Sequence, residues 1–548
     1  MHSAQNMRLS NKDQKQGNVA SYFDNLKNLV QINDGDRSFV LKTVDCHDQQ
    51  APFNDSQETR IAITHSDHMV SQITDGFLTF KLKLKLQLTG VTSGQFTDTN
   101  HLCKLFVGFK SSNQILDQLQ ITCRNLATGY QQNECCREGF AYSTIKTQQE
   151  KKTKKYTHSL YENVANYSPS VCGTYININD FKDGLPHEVE FEMNLPFDDI
   201  LALQAFDLYP NSVCGNLELK FYVKPRGLVW CAIDPLKVKD YKEYVQGEDL
   251  NLSITQNLPA MINHGFTQIN NSATIINEFS VTAGANTGDP STVAADKGDV
   301  LLQCVGMTVL SLKSTMRGFG VAAQTLEHVR ELFSTPMLIP SQKLDYNAFP
   351  IAPTAAGSQS TINMPVSNAS CISIVFPKHD NDYTVFENPI YQNLQLTING
   401  LNMPDEVVST QGARFLQQQL IASDLTGGLE PTKEFEDSMV MAKNTESGTR
   451  YANSLSDGTS FIWNVQCERS NAGYTFDGFD SKGGNIPIQI RGQPLYTGSN
   501  DTYYNVKADG SAHPPPPQIW LCRDTYFEAS VNGLRYFDYG TPIDKQVE

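Results

Sequence analysis

This 548-residue sequence shows no long apolar run, no CxxC pair of cysteines and no recognisable secretory leader. It contains no run of about 18 apolar residues, so it predicts no membrane-spanning helix. The polar N-terminus has no apolar signal-peptide core. The 12 cysteines include no CxxC pair. We therefore predict reduced thiols made in a cytosol, without a zinc site or a disulfide framework.

Charged residues are also scarce, and acidic residues outnumber basic ones. Charged residues make up 19% of the chain, with 43 Lys and Arg against 59 Asp and Glu, giving a net charge of −16. This composition differs from that of a helical bundle or coiled coil. An acidic chain also argues against a surface devoted to nucleic acid, so we expect no strong direct nucleic-acid binding.

The common catalytic signatures are absent as well. We find no GxSxG elbow, phosphate-binding GxxxxGK(S/T) loop, HExxH or GxGxxG. The sequence therefore predicts no enzyme, no catalytic residues, no cofactor and no bound metal. His65 and His68 come nearest to a metal-ligand pair, and residues 477–485 come nearest to a calcium loop. We interpret them as a solvated loop and a glycine-containing turn, because further ligands are missing.

Strict alternation in residues 77–88, FLTFKLKLKLQL, predicts a long strand with one buried and one solvated face. Its lysines, Lys81, Lys83 and Lys85, would lie on the solvated face; an anion-binding stripe is the alternative. Shorter runs bounded by turn residues predict strands at 38–44, 105–109, 115–123, 173–178, 187–193 and 216–223.

The second half of the sequence shows the same pattern of short predicted strands bounded by turn residues, and it begins after a charged segment. Pro225, Pro235 and the charged residues that follow mark a domain boundary. Strands are predicted near 274–282, 300–313, 371–376, 390–399, 461–467, 486–490 and 526–537, and helices near 405–422 and 432–443. In the first half, a short helix is predicted at 197–205, between the last two strands. Many short strands with few helices favour an antiparallel sandwich or barrel over a parallel sheet.

Two segments are candidate interaction elements. Residues 19–31 place Tyr22, Phe23, Leu26 and Val30 on one helical face, which predicts an amphipathic helix that docks on a neighbouring chain or packs on its own domain. A basic run contains Lys151, Lys152, Lys154 and Lys155. It is either a solvated loop or a contact for nucleic acid or an acidic partner. The role of the adjacent cysteines, Cys135 and Cys136, is open.

Six strings, taken in their order and spacing, resemble the double jelly-roll major capsid proteins of Polinton/Maverick elements, polinton-like viruses and virophages. They are ITDGFLTFKLKLKL (73–86), LFVGFKSSNQILDQLQITCRN (105–125), LPFDDILALQAFDLYPNSVCGNLELKFYV (195–223), ARFLQQQLIASDL (413–425), DGFDSKGGNIPIQIRGQPLY (477–496) and FEASVNGLRYFD (527–538). The resemblance covers residues 36–540, nearly the whole chain.

The resemblance implies an all-β chain of two tandem eight-stranded antiparallel jelly rolls with short helices and long loop insertions. The implied divisions are an arm at 1–35, a first jelly roll at 36–235 and a second at 236–548. Such a chain would be a virion protein that forms a homotrimer, the pseudo-hexameric capsomer of an icosahedral capsid. Its partners would be neighbouring capsomers and penton and minor capsid proteins. We expect synthesis in the host cytoplasm and assembly there or in the nucleus.

Two other classes of function stay open. A jelly-roll carbohydrate- or receptor-binding virion protein would expose aromatic side chains, whereas Trp230, Trp463 and Trp520 lie in apolar runs typical of buried strands. A β-sandwich glycoside hydrolase would need two carboxylates facing one cleft, and the sequence singles out no such pair.

Overall fold

The structure is a computed structural model built almost entirely from antiparallel β-sheets. It describes residues 39–45, 52–54, 57–89, 104–109, 111–135, 137–138, 172–177, 180, 185–224, 228–233, 272–275, 300–321, 323–377, 386, 388–410, 412, 414–415, 417–419, 441–444, 449–451, 461–468, 478–494 and 514–538.

The strands fall into two successive groups. The first is β1 (Phe39–Asp45), β2 (Phe53–Asn54), β3 (Glu58–Ala62), β4 (Val70–Thr89), β5 (Lys104–Phe109), β6 (Leu116–Cys123), β7 (Leu126–Asn133), β8 (Gly173–Asn177), β9 (His187–Pro196), β10 (Leu217–Val223), β11 (Leu228–Ile233), β12 (Ser272–Ile275) and β13 (Val300–Phe319). The second is β14 (Met337–Ala348), β15 (Ser358–Pro365), β16 (Ala369–Val375), β17 (Tyr391–Ile398), β18 (Leu401–Val408), β19 (Met441–Asn444), β20 (Thr449–Tyr451), β21 (Trp463–Gln466), β22 (Asn485–Pro494), β23 (Gln518–Ser530) and β24 (Gly533–Phe537).

Helical elements are short. They are the α-helices α1 (Asn211–Cys214) and α2 (Ala323–Leu332) and the 3₁₀ turns Ser112–Ile115, Phe197–Asp199 and Leu201–Ala205. The predicted helix at 197–205 is thus two 3₁₀ turns. No helix in the described part of the chain is long and apolar enough to cross a membrane.

Both groups contain the same pair of sheets, each with four strands in a common order; β2 and β12 add to the first sheet of the first group at β13, and β24 adds to the first sheet of the second group at β23. The first pairs β1-β13-β4-β9 in one sheet and β3-β10-β6-β7 in the other; the second pairs β14-β23-β16-β21 and β15-β22-β17-β18. Numbered 1 to 8 along each group, these strands have the order 1-8-3-6 and 2-7-4-5 in both cases. Eight strands in two sheets of this kind form a jelly roll. The predicted fold of two tandem jelly rolls is confirmed.

The alternating sequence of β4 explains the core of the first jelly roll. Its apolar residues from Leu78 to Leu86 are all fully buried, while the lysines between them lie on the opposite face. Phe80 of this sheet meets Phe221 of the other sheet edge-to-face, with 6.1 Å between ring centroids. The strand runs from Val70 to Thr89, longer than predicted, and pairs with β13 along its length.

The second jelly roll buries both faces of β16. Ile372 and Ile374 lie in the core between the two sheets, whereas Val375 packs with Trp520 in a smaller cluster. Trp463 and Trp520 are both fully buried, as their apolar surroundings predict. The side chain of Trp230 lies outside the described residues.

The pairing of β13 bears on where the two jelly rolls divide. β13 lies between β1 and β4 and so completes the first jelly roll, although it follows residue 235 by more than 60 residues. The charged segment that predicted a linker therefore belongs to an insertion between the seventh and eighth strands. We propose that the division lies near α2, between Phe319 and Met337.

Two predicted helices are wrong in part. Residues 405–408 belong to strand β18, and among the described residues of the first predicted segment the helical ones are 414–415 and 417–419. Pro404 followed by Asp405 and Glu406 is also typical of a helix start, but an edge strand tolerates proline. Residues 441–443 of the second predicted helix lie in β19, and 432–440 are outside the described residues. The elements that were not predicted are strands β2, β3, β7, β11, β14, β15 and β20 and helices α1 and α2.

Candidate functional site at the junction of the two jelly rolls

The predicted interaction residues lie outside the part of the chain that the structure describes. This applies to Tyr22, Phe23, Leu26 and Val30 of the arm and to Lys151, Lys152, Lys154 and Lys155 of the basic run. Their roles stay predictions. Of the adjacent cysteines, Cys135 is buried and Cys136 lies outside the described residues.

The lysines of β4 pair with glutamates of β9. Lys83 Nζ lies 2.6 Å and Lys85 Nζ 3.5 Å from Glu188 carboxylate oxygens, and Lys81 Nζ lies 3.2 Å from Glu190 Oε2. The hydrogen bond between Lys83 and Glu188 raises the pKa of the lysine and lowers that of the glutamate. This charge-paired surface agrees with the solvated-face interpretation and leaves little net charge for an anion.

His65 and His68 belong to a tight turn held by Asn211. The Asn211 side-chain amide donates to the carbonyl oxygens of both histidines, at 2.9 and 2.7 Å. The rings are 6.0 Å apart at their centroids, and the His68 ring packs against Gly318. Among the described residues no group of three His, Cys, Asp or Glu side chains could hold a metal ion.

The glycine-rich segment 477–485 also forms a turn in its described part. The Lys482 backbone N–H donates to Asp480 Oδ1 at 2.7 Å, and Gly483 has a φ of 79°. Gly478 lies against the backbone of Ala369, where a Cβ atom would come within 2.5 Å of its carbonyl oxygen. These contacts explain the aspartate and glycine residues as turn formers.

An aromatic cluster joins the two jelly rolls. Tyr130 and Phe206 of the first unit pack on Phe527 of the second, with ring centroids 5.9 and 5.0 Å away. Tyr536 of β24 meets Tyr130 edge-to-face at 5.0 Å. Gly129 of β7 has a φ of 95°, a backbone conformation that favours glycine, and it lies beside the Tyr536 backbone. The two units therefore share one hydrophobic core.

Polar contacts surround this cluster. Gln132 Nε2 donates to the Leu344 carbonyl oxygen at 2.8 Å. Arg137 Nη1 donates to Gln518 Oε1 at 2.7 Å, and its guanidinium carbon lies 4.6 Å from the centroid of the Tyr346 ring. The end of β7 and the turn after it thus place side chains directly on strands of the second jelly roll.

Glu138 is buried at the same junction. Its Oε1 accepts a 2.8 Å hydrogen bond from the Leu201 backbone N–H, and only 5% of the residue is exposed. Burial raises the pKa of the Glu138 carboxyl to about 7, against the opposing effects of the Leu201 hydrogen bond and the positive charge of Lys343. The Glu138 carboxyl therefore lies between the two units and is mostly protonated, and so uncharged, below about pH 7.

A polar cavity of about 640 Å³ opens beside these contacts. Its walls come from β7, β14, β15, β23 and the turn before β16, and its polar lining includes Gln131, Gln132, Asn133, Lys343, Asp345, Asn347, Asn363 and Arg523. Asp345 forms an ion pair with Arg523 and is the one carboxylate among the lining residues. The cavity thus lacks the two facing carboxylates of a glycoside hydrolase.

Sequence reasoning missed every residue of this junction. Arg137 and Gln518, for example, are 381 positions apart in the chain. No local pattern marks them, since a contact between two domains depends on how the domains dock.

Comparison with known proteins found no matching protein-family model and no matching curated protein. Solved structures do match along most of the chain. A chain of the Sputnik virophage cryo-EM structure is 10% identical, with a TM-score of 0.50 over 94% of this chain and 91% of its own. The mavirus major capsid protein is 9% identical, with a TM-score of 0.45 and coverages of 93% and 92%. The Faustovirus major capsid protein is 7% identical, with a TM-score of 0.41 and coverages of 91% and 92%. At this identity the Sputnik likeness shows a shared fold.

Proposed function

We propose that the chain is a major capsid protein, a structural subunit of an icosahedral viral shell. The observation that carries the proposal is the repeated strand order, 1-8-3-6 facing 2-7-4-5, in two units joined by one core. Jelly rolls of eight strands are a recurrent architecture of viral capsid proteins. The fold likeness to a chain of the Sputnik virophage particle supports the proposal.

The molecule also has the physical properties that a shell subunit needs. Two packed jelly rolls give a stiff scaffold that can carry the contacts with neighbouring subunits. A closed ring of three such chains would present six jelly rolls, which is the pseudo-hexameric capsomer implied by the sequence resemblance. Closed cyclic symmetry is the usual outcome for a homo-oligomer.

The finer assignments are part of the same proposal. The trimers would contact neighbouring capsomers and penton and minor capsid proteins, with the N-terminal arm and the basic run as candidate contacts. The chain would reside in the virion after synthesis in the host cytoplasm. A net charge of −16 favours contacts with other proteins over tight coating of nucleic acid. The role is structural and not catalytic.

The carbohydrate- or receptor-binding alternative is less well supported. Stacking on a sugar requires an exposed aromatic ring, and Trp463 and Trp520 are fully buried.

The solution mass of the purified full-length protein tests the proposal. Size-exclusion chromatography with light scattering should give three times the 61.0 kDa of the chain, or larger shells built from that unit. Electron microscopy of the larger fraction should then show closed polyhedral particles. A monomer that stays monomeric at high protein concentration would contradict the proposal.

A further inference from the structure

We propose that Glu138 is a proton-operated switch at the junction of the two jelly rolls. Its neutral carboxyl keeps the junction closed, and its ionised form favours opening, because the negative charge is buried between the units. The switch concerns the internal contact of one chain, so it does not depend on the proposed capsid function.

The position of Glu138 supports this role. The residue follows β7 and lies against the 3₁₀ turn Leu201–Ala205, which itself packs on β14 of the second jelly roll. One carboxylate oxygen accepts the Leu201 N–H, whereas Oε2 is buried without a hydrogen-bond partner among the described residues. A charge placed here is compensated only in part.

Few groups around Glu138 offset its charge. Lys343 of β14 is the cation that acts on it, and this lysine also lies 3.8 Å from Asp345 Oδ1. Tyr130 of β7 lies close enough for the Glu138 charge to act on it, and burial is the main cause that raises the pKa of Tyr130 far above its ordinary value. Arg137 points instead to Glu134, Gln518 and the Tyr346 ring.

The direction of the pH effect follows from the raised pKa. The carboxyl titrates at about 7 in the closed junction and at the ordinary value of 4.5 when exposed. The closed state therefore holds a proton that the open state releases between these values. Stability of the junction is greatest at low pH, falls as the pH rises from 4.5 to 7, and stays at its lower level above 7.

Hydrogen–deuterium exchange on the full-length protein tests the switch. The peptides to follow are those containing Leu201 and strand β14, with rates corrected for the intrinsic effect of pH. Between about pH 5.5 and about pH 8 we expect the opening equilibrium of the wild-type junction to increase about 30-fold. Glu138→Gln keeps an acceptor for the Leu201 N–H but cannot ionise, so its corrected exchange should be independent of pH.

Two further variants separate the switch from a merely structural role. Glu192→Gln makes the same change at an exposed position of β9 and should keep the wild-type pH dependence. Lys343→Met removes the nearby cation, so the midpoint of the pH transition should move to higher pH. An unchanged midpoint in Lys343→Met, or a wild-type pH response in Glu138→Gln, would overturn the proposal.

Discussion

Gly108 shows how a single residue can fix the path of a strand. It lies in β5 opposite Gly173 of β8, and a Cβ atom built on it would lie 2.2 Å from the Cys172 carbonyl oxygen. That oxygen accepts the Phe109 N–H at 2.8 Å, so the backbone has no freedom to retreat. Close approach of two backbones is the reason for glycine at this position.

Gly108→Ala should therefore destabilise the protein by about 1–3 kcal/mol, the usual range for forced overpacking. Gly306→Ala in β13 is the matched control, since the nearest atom to its added Cβ is 3.9 Å away in the flexible Lys85 side chain. Urea denaturation followed by tryptophan fluorescence would measure both. Equal midpoints for the two variants would contradict the packing argument.

Glu138 illustrates the limit of sequence reasoning at this scale. Nothing in its local sequence marks it among the 59 acidic residues. Burial at the junction raises its pKa, and the groups that oppose this rise lie about 60 residues later, at Leu201, and about 200 residues later, at Lys343. Only the fold brings these groups together.

Among the strands, the ion-pair ladder between β4 and β9 connects register with charge. The two strands pair so that Lys81, Lys83 and Lys85 stand opposite Glu192, Glu190 and Glu188. Side chains on one face of an antiparallel pair are close enough for such charges to interact. The alternation that buries the leucines of β4 thus also aligns its lysines with the acidic face of β9.

Reversing one of these charges should weaken the pair in a salt-dependent way. Glu188→Lys would place a third charge of the same sign beside Lys83 and Lys85, so the melting temperature should fall at low ionic strength and recover partly in about 0.5 M salt. The double variant Lys83→Glu/Glu188→Lys restores opposite charges and serves as the control. Equal melting temperatures for the single and double variants would contradict a role for the ladder.

Strands in which apolar and polar residues alternate could be predicted from the sequence. The strands with which they pair in the sheet could not. Residues 77–88 alternate so strictly that face and burial could be read directly. β13 was predicted as a strand, yet its place between β1 and β4 depends on pairing across more than 200 residues. The segment after Pro404 was predicted to be a helix, whereas residues 405–408 lie in edge strand β18. Proline is accepted both in edge strands and at helix starts.

The two jelly rolls behave in this structure as one folded body because their cores merge. Ile339, Phe527, Ala529 and Leu534 of the second unit belong to the same buried cluster as the first sheet pair. Contacts of this kind couple the unfolding of one unit to that of the other.

Phe527→Ala should uncouple the two units. Removing a buried phenylalanine costs about 3–5 kcal/mol, and here the loss falls on contacts to Tyr130, Phe206 and Tyr536 at the junction. We expect calorimetry to show one transition for the wild type and two for this variant.

Phe376→Ala is the matched control for the uncoupling. Its ring packs on Tyr391 and Phe461 inside the second jelly roll, so the melting temperature should fall without splitting of the transition. Two transitions in the wild-type protein would contradict a shared core.

The late position of β13 has a consequence for synthesis on the ribosome. The first sheet lacks its central strand until residue 319 has been translated, although β1, β4 and β9 are complete by residue 196. At about 5–20 residues per second this interval lasts on the order of 10 s. During that time the nascent chain holds two unpaired strand edges next to a long apolar face, which is the arrangement most prone to aggregation. We expect the growing polypeptide to need chaperone protection before its first half can close.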